Sequence, residues 1–202
     1  MSRIGTVRYR LLDLRGRRVH QFMLGCLVTW VVSSLAPSDA TVILRDFSAD
    51  PWQVIWALPA CFIPMCMDPS FDFMEVALAQ PPWRRRVVAL SLCVSLAAAA
   101  LFLSAVVNGR HPGGALTALL MAVVLSAVVS TAFGTTVAAC TTFTVILVNW
   151  VFGLSELNQT PHAWAFLMQP GSLGLFLAAF GLSIAAGAVW CRFGSWHATR
   201  AI

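Results

Sequence analysis

Six apolar stretches, at about 20–36, 52–67, 87–107, 114–133, 136–153 and 171–191, alternate along the chain with short segments that hold almost all of its charge. About 20 apolar residues in a helix cross a hydrocarbon core, so the pattern predicts six membrane-spanning helices. The second stretch is the shortest. Pro59 and Pro64 interrupt it, so a kink is expected, with the freed backbone groups taken up by neighbouring elements. From Gly114 to Gly153 forty residues pass without a charge. One straight helix of that length would be about 60 Å long, roughly twice the hydrocarbon thickness, so this stretch must fold back on itself. Gly134-Thr135-Thr136 is the expected turn.

A different period precedes the first span. Ile4, Val7, Leu11 and Leu14 recur at helical spacing, with Arg3, Arg8, Arg10 and Arg15 largely around the other face and Arg17 and Arg18 behind them. Residues 1–19 read as a basic amphipathic helix lying in an anionic membrane surface. Gly5 and Gly16 weaken that helix, which leaves a disordered basic tail as the other reading. No small-residue cleavage pattern follows, so the first span is expected to be retained. Near the other end, residues 155–170 carry Pro161, Pro170 and Trp164. They are too short and too broken to cross, and read as a partly re-entrant or interfacial element with Trp164 at headgroup level.

Composition narrows the classes. The chain has 202 residues, 59% hydrophobic and 10% charged, with a mean hydropathy of +0.80, against roughly 25% charged residues in soluble domains. No separate soluble catalytic domain fits beside six spans. All 13 basic residues are arginine, which excludes a Walker A lysine and a lysine Schiff base in this chain. The six cysteines fall in or beside apolar runs without a CxxC or Cys/His cluster, and read as small buried hydrophobes. Arginine counting sets the orientation: with both termini cytoplasmic, eleven arginines lie inside and only Arg45 and Arg110 outside.

The cytoplasmic loop between the second and third spans is the most informative polar segment. Ser70 can cap a short helix with Asp72 in its first turn, Phe71, Met74 and Leu78 share a face with Glu75 close by, and Pro81-Pro82 ends it before Arg84, Arg85 and Arg86. A solvated loop with ordinary topology arginines is the plain alternative. The basic N-terminal helix, six spans with both ends inside, and the string Glu75-x4-Gln80-Pro-x2-Arg84-Arg85 together resemble the permease subunits of ABC-2-type ABC transporters. The proline-broken segment before the last span is similar to the re-entrant elements of that family, although a long outer domain is missing. The resemblance implies an all-α integral membrane protein of the bacterial inner membrane, in which 1–19 is a connecting helix and 192–202 a cytoplasmic tail. It implies that a coupling helix at 70–80, through Asp72, Glu75, Gln80, Arg84 and Arg85, docks on a separate ATPase subunit. Arg8, Arg10, Arg15, Arg17 and Arg18 would lie on the membrane surface. ATP and Mg would belong to that partner, a second permease chain would complete the pathway, and the chain itself would be no enzyme and bind no nucleic acid.

Readings from other classes stand beside it. Asp68, Asp72 and Glu75 could hold a divalent cation in a membrane enzyme, but the second acidic motif such enzymes need is missing on that side. A serine protease reading would need Ser155 and His162 to pair across separate spans, yet they lie seven residues apart in one loop. A non-catalytic membrane anchor or accessory subunit is the remaining alternative. The six apolar cores hold no charge, which disfavours an ion-coupled carrier and favours an energy source outside the membrane. Their hydroxyls, among them Ser126, Ser130 and Thr141, and Asn149, read first as helix-packing residues.

Overall fold

A computed structural model describes residues 19–35, 51–67, 82–152, 163, 165–167 and 172–193. Regular structure among them is helical throughout: α1 Val19–Leu35, α2 Pro51–Ile55, α3 Pro59–Met67, α4 Pro82–Asn108, α5 Gly113–Phe133, α6 Thr135–Phe152 and α7 Leu173–Phe193. A helix lies on each of the six apolar stretches, with α2 and α3 sharing the second. Four are long and apolar enough to cross a membrane, over Arg86–Asn108, Gly113–Phe133, Thr135–Phe152 and Leu173–Phe193; α1 and the α2–α3 pair are apolar but shorter. The expected surface helix before the first span, the acidic helix at 70–80, most of 155–170 and the tail after Phe193 lie outside the described residues.

Side-chain contacts fix how the elements run. The Ser33 and Ser104 hydroxyls sit 3.2 Å apart, which brings the last turns of α1 and α4 together and makes those helices parallel. A side chain at Gly25 would meet the Phe62 ring at 3.0 Å, setting α1 near its middle against the middle of α3. Gln53 presses on Gly114, so α2 and α5 start side by side. Leu90 fills the space over Gly187, and the Arg86 guanidinium lies 5.6 Å from the Trp190 ring centre, so the start of α4 meets the end of α7. With α2 and α3 taken together as one crossing, the six elements alternate in direction, and the bundle has a Gly113 end and a Gly134 end.

Two turns depend on glycine. Gly134 caps α5 with φ 89° and ψ 171° and donates its N–H to Ser130 O, while its own carbonyl accepts the Ala138 N–H at 3.1 Å. One residue ends one helix and begins the next, and a non-glycine residue is strained in that backbone region. At the end of α4, Gly109 has φ 63°. Its N–H donates to Val106 O, and the Arg110 N–H reaches back to Ala105 O at 2.9 Å, the bond pattern of a Schellman cap.

The broken second element lies in the middle of the bundle. α3 packs against α1, α4, α5 and α6, and α5 against α2, α3, α4, α6 and α7. Trp52, Val54, Trp56, Ala57, Ala60, Cys61 and Ile63 are all buried. The break falls at Pro59, whose missing N–H would have bonded Ile55 O. The Leu58 N–H takes that acceptor instead at 3.0 Å, and Ala57 bonds Val54 O at 3.0 Å, a tighter turn of the 3₁₀ kind. Pro64 sits inside α3 without ending it, so only one of the two prolines divides the element. By contrast, α7 leaves Leu173, Leu177, Phe180 and Ile184 exposed, and α4 leaves Val106 80% exposed. Apolar faces of that extent suit lipid or another protein rather than water. The described cysteines are unbridged, and Cys140 is exposed where a buried position was expected.

Gly134→Ala is expected to cost about 1–3 kcal/mol through backbone strain. Gly181→Ala, on an open helical face with nothing within 4 Å of an added Cβ, should be neutral or stabilise by up to about 1 kcal/mol. Unfolding of the purified protein in mixed micelles measures both, and equal effects would show that the turn does not depend on glycine.

Candidate functional site

Polar side chains in the bundle collect at the Gly113 end. Asn108 Nδ2 donates to Ser104 O at 2.8 Å and to Ser104 Oγ at 3.2 Å. Ser104 meets Ser33, whose hydroxyl also donates to Trp30 O at 2.8 Å. This relay ties α1 to α4 with hydroxyls that are fully or nearly fully buried.

A second relay holds the chain between α6 and α7. Gln53 Nε2, on α2, donates to Leu167 O at 3.1 Å. The Leu167 N–H donates to Asn149 Oδ1, on α6, at 3.3 Å, and Asn149 Nδ2 donates in turn to Val145 O at 2.9 Å. Leu167 is not helical, so its backbone groups lack ladder partners, and the two carboxamides replace them. Ala165 and Leu167 are buried in the core and Phe166 packs against it. Trp164 and most of the 155–170 segment, expected to be a partly re-entrant or interfacial element, lie outside the described residues.

Beside this clamp an open cleft of about 430 Å³ is lined by Trp52, Gln53, His111 and the residues from Pro112 to Ala115. Its floor is the start of α5, where Pro112 is the N-cap and no side chain caps the helix. The first helical bond is Leu116 N–H to Pro112 O at 2.8 Å, so the N–H groups before it have no acceptor within the helix. Gly113 and Gly114 keep this floor low: at Gly114 a Cβ would stand 2.8 Å from Gln53 Oε1. The Arg110 guanidinium lies 5.9 Å from the Trp52 ring centre, a cation–π contact. The cleft is rich in donors, and no carboxylate is among its lining residues.

The bundle interior is milder. Ser126 and Thr142 lie eight residues either side of Gly134, hence at about the same depth, roughly 12 Å from the turn. Both are fully buried, as is Ser130, and their hydroxyls have no hydrogen-bond partner among the described residues. Thr29, Thr117 and Thr144 satisfy themselves by donating to the carbonyl four residues back. No group of metal-ligating side chains occurs among the described residues.

Of the residues expected to contact an ATPase, Arg84 and Arg85 are on the first turn of α4 and Arg84 is exposed. Asp72, Glu75 and Gln80, and the N-terminal Arg8, Arg10, Arg15, Arg17 and Arg18, lie outside the described residues. Sequence reasoning singled out Asn149 but missed Gln53, Trp52 and His111. The available signal was a carboxamide in the first turn of an otherwise apolar stretch, at the level where chains re-enter lipid. Comparisons with protein-family models, with curated proteins and with solved structures found no match to the chain.

Asn149→Ala should destabilise by about 1–3 kcal/mol, because it leaves the buried Leu167 N–H without an acceptor. Combining it with Gln53→Ala should be non-additive, since both side chains hold one residue. Ser126→Ala should be neutral or slightly stabilising, because no hydrogen bond is lost there. Chemical unfolding of the three variants checks these signs, and a large loss at Ser126 would reveal a partner for its hydroxyl.

Proposed function

We propose that the chain crosses the bacterial inner membrane six times, with both termini cytoplasmic, as the permease subunit of an ABC exporter. ATP would be hydrolysed by a separate nucleotide-binding subunit that docks near the Gly134 end, at the acidic helix 70–80 and the arginines that follow it. The observation that carries this reading is the character of the interior: the buried side chains among the described residues are apolar, hydroxyl or carboxamide. A transporter built this way holds no charged group at mid-depth for ion coupling, so its energy must enter from outside the bilayer.

Two further features support it. The alternating direction of all six elements suits six crossings, and it places Arg84, Arg86 and Arg192 at one end, in keeping with the arginine asymmetry. α1 and α6 both pack on α3 and both keep wide apolar faces exposed, with Leu24, Val28, Leu147 and Val151 among the exposed side chains. Such faces suit a second permease chain against the first and fifth spans, and hydrophobic or amphipathic cargo between the two chains. An anchoring or accessory subunit would share the bundle but would not couple to ATP hydrolysis.

Co-purification separates these readings. A soluble ATPase should accompany the chain out of mild detergent, and Glu75→Arg should weaken that association or uncouple hydrolysis from transport, since a reversed charge in a docking surface typically costs several kcal/mol. Single cysteines at Ser38 and Gln159 in a cysteine-free background should be labelled by an impermeant maleimide on intact cells, and one at Ser70 should not. Labelling at Ser70, or a chain that purifies free of any ATPase while remaining active, would overturn the proposal.

A further inference from the structure

Two short turns join the long helices α4, α5 and α6, and they differ in kind. At the turn between α4 and α5, Asn108 and His111 are exposed and Arg110 is half-buried. At the Gly134 turn, Phe133 is 62% exposed and Val137 47%, Ala132 is exposed beside them, and no charge occurs anywhere from Gly114 to Gly153. Thr136 supplies the polar side chain exposed there. One turn has the surface of a loop in water; the other largely has the surface of a helix in lipid.

Helix lengths give the depth. α4 has 27 residues and α5 has 21, which is about 40 Å and about 31 Å. α4 ends and α5 begins at the same short turn, so along parallel axes Gly134 stops about 9 Å short of the level at which α4 starts. The polar residues 108–111 are costly in hydrocarbon, which puts the start of α5 at or outside its edge. A hydrocarbon core is about 30 Å thick, and the bilayer about 40–45 Å with its headgroups. α5 therefore reaches the far edge of the core and no further, and tilt shortens its reach. α4 is long enough to carry exposed Trp83 and Arg84 on through the headgroups.

The backbone of the turn fits that depth. Gly134 donates to Ser130 O and accepts the Ala138 N–H, so the glycine's own peptide groups are satisfied without solvent. The Thr136 and Val137 N–H groups precede that first bond of α6 and have no acceptor within the helix. Below the headgroups such groups need acceptors other than bulk water, and phospholipid ester carbonyls lie at that level.

We infer that the Gly134 turn is held at the glycerol–acyl boundary of the adjoining leaflet, roofed by phospholipid headgroups. Phe133 and Val137 lie among the acyl chains, and the Thr136 and Val137 N–H groups meet ester carbonyls. The occupant of this surface is phospholipid. A soluble partner at this end meets the start of α4, which projects past the turn, and does not meet the turn itself. The inference rests on the bundle crossing a bilayer and not on the transport reading.

Nitroxide labels at Ala132→Cys and at Thr136→Cys, each alone in a cysteine-free full chain in phospholipid nanodiscs, are compared with one at Arg84→Cys. Both faces of a nanodisc are open, so orientation does not enter. Oxygen concentrates among acyl chains and a nickel chelate stays in water. The labels at 132 and 136 should collide with oxygen and lose nearly all of the nickel collisions seen at 84. Nickel collisions at 136 equal to those at 84 would put the turn in water, and few collisions with either reagent would mean that protein covers it; both results overturn the inference. Hydrogen exchange of the unmodified chain in the same nanodiscs reads the turn without substitutions. The Thr136 and Val137 amides should exchange more slowly than free amides, and exchange at the free-amide rate would equally overturn it.

Discussion

No water is available inside a bilayer to bond a stray N–H or C=O, so backbone that is not continuously helical must be enclosed by protein. The arrangement of the bundle follows from that constraint. The one apolar stretch divided by proline cannot face lipid at its break, and α1, α4, α5 and α6 all pack against it. The 3₁₀ bond from Leu58 to Ile55 O closes part of the gap locally, and burial of Trp52, Trp56 and Ile63 closes off the rest. A short helix in the middle also needs large side chains to reach its neighbours, which is what the two tryptophans supply.

The same constraint operates at Leu167, with a different remedy. There the buried chain between α6 and α7 runs without helical bonds, and Gln53 supplies a donor and Asn149 an acceptor from two other elements. A side-chain amide carries its acceptor and its donors on separate atoms, so Asn149 accepts from the Leu167 N–H while its own NH2 group donates to Val145 O. Elsewhere association in lipid gains nothing from apolar burial as such and depends on close packing of small side chains. α5, which touches the most elements, accordingly buries Ala115, Ala118, Ala122, Ser126, Ala127 and Ser130.

These facts explain what the sequence could tell. Helix positions were legible because uninterrupted apolar runs leave the backbone one solution, and the fold-back at Gly134 was legible because a forty-residue uncharged run cannot cross once. The turn chemistry was visible as glycine. Which helix lies in the middle was not, because hydropathy registers the absence of water and is blind to whether lipid or protein replaces it; α3 and the exposed face of α7 read alike. Equal weight on Pro59 and Pro64 was misplaced for a related reason, since a proline within a well-packed helix can be carried without a break. Gln53 and Leu167 are 114 residues apart in sequence, and nothing local in either position announces the other.

The distribution of polar contacts bears on how such a bundle can work. The inter-element hydrogen bonds described, Ser33 with Ser104 and the two at Leu167, lie at the Gly113 end. Toward the Gly134 end the described contacts include Leu90 over Gly187 and the cation–π contact of Arg86. Dispersion contacts between smooth helices are individually weak and re-form after a small displacement, whereas a carboxamide clamp in a water-poor setting is costly to leave unmade.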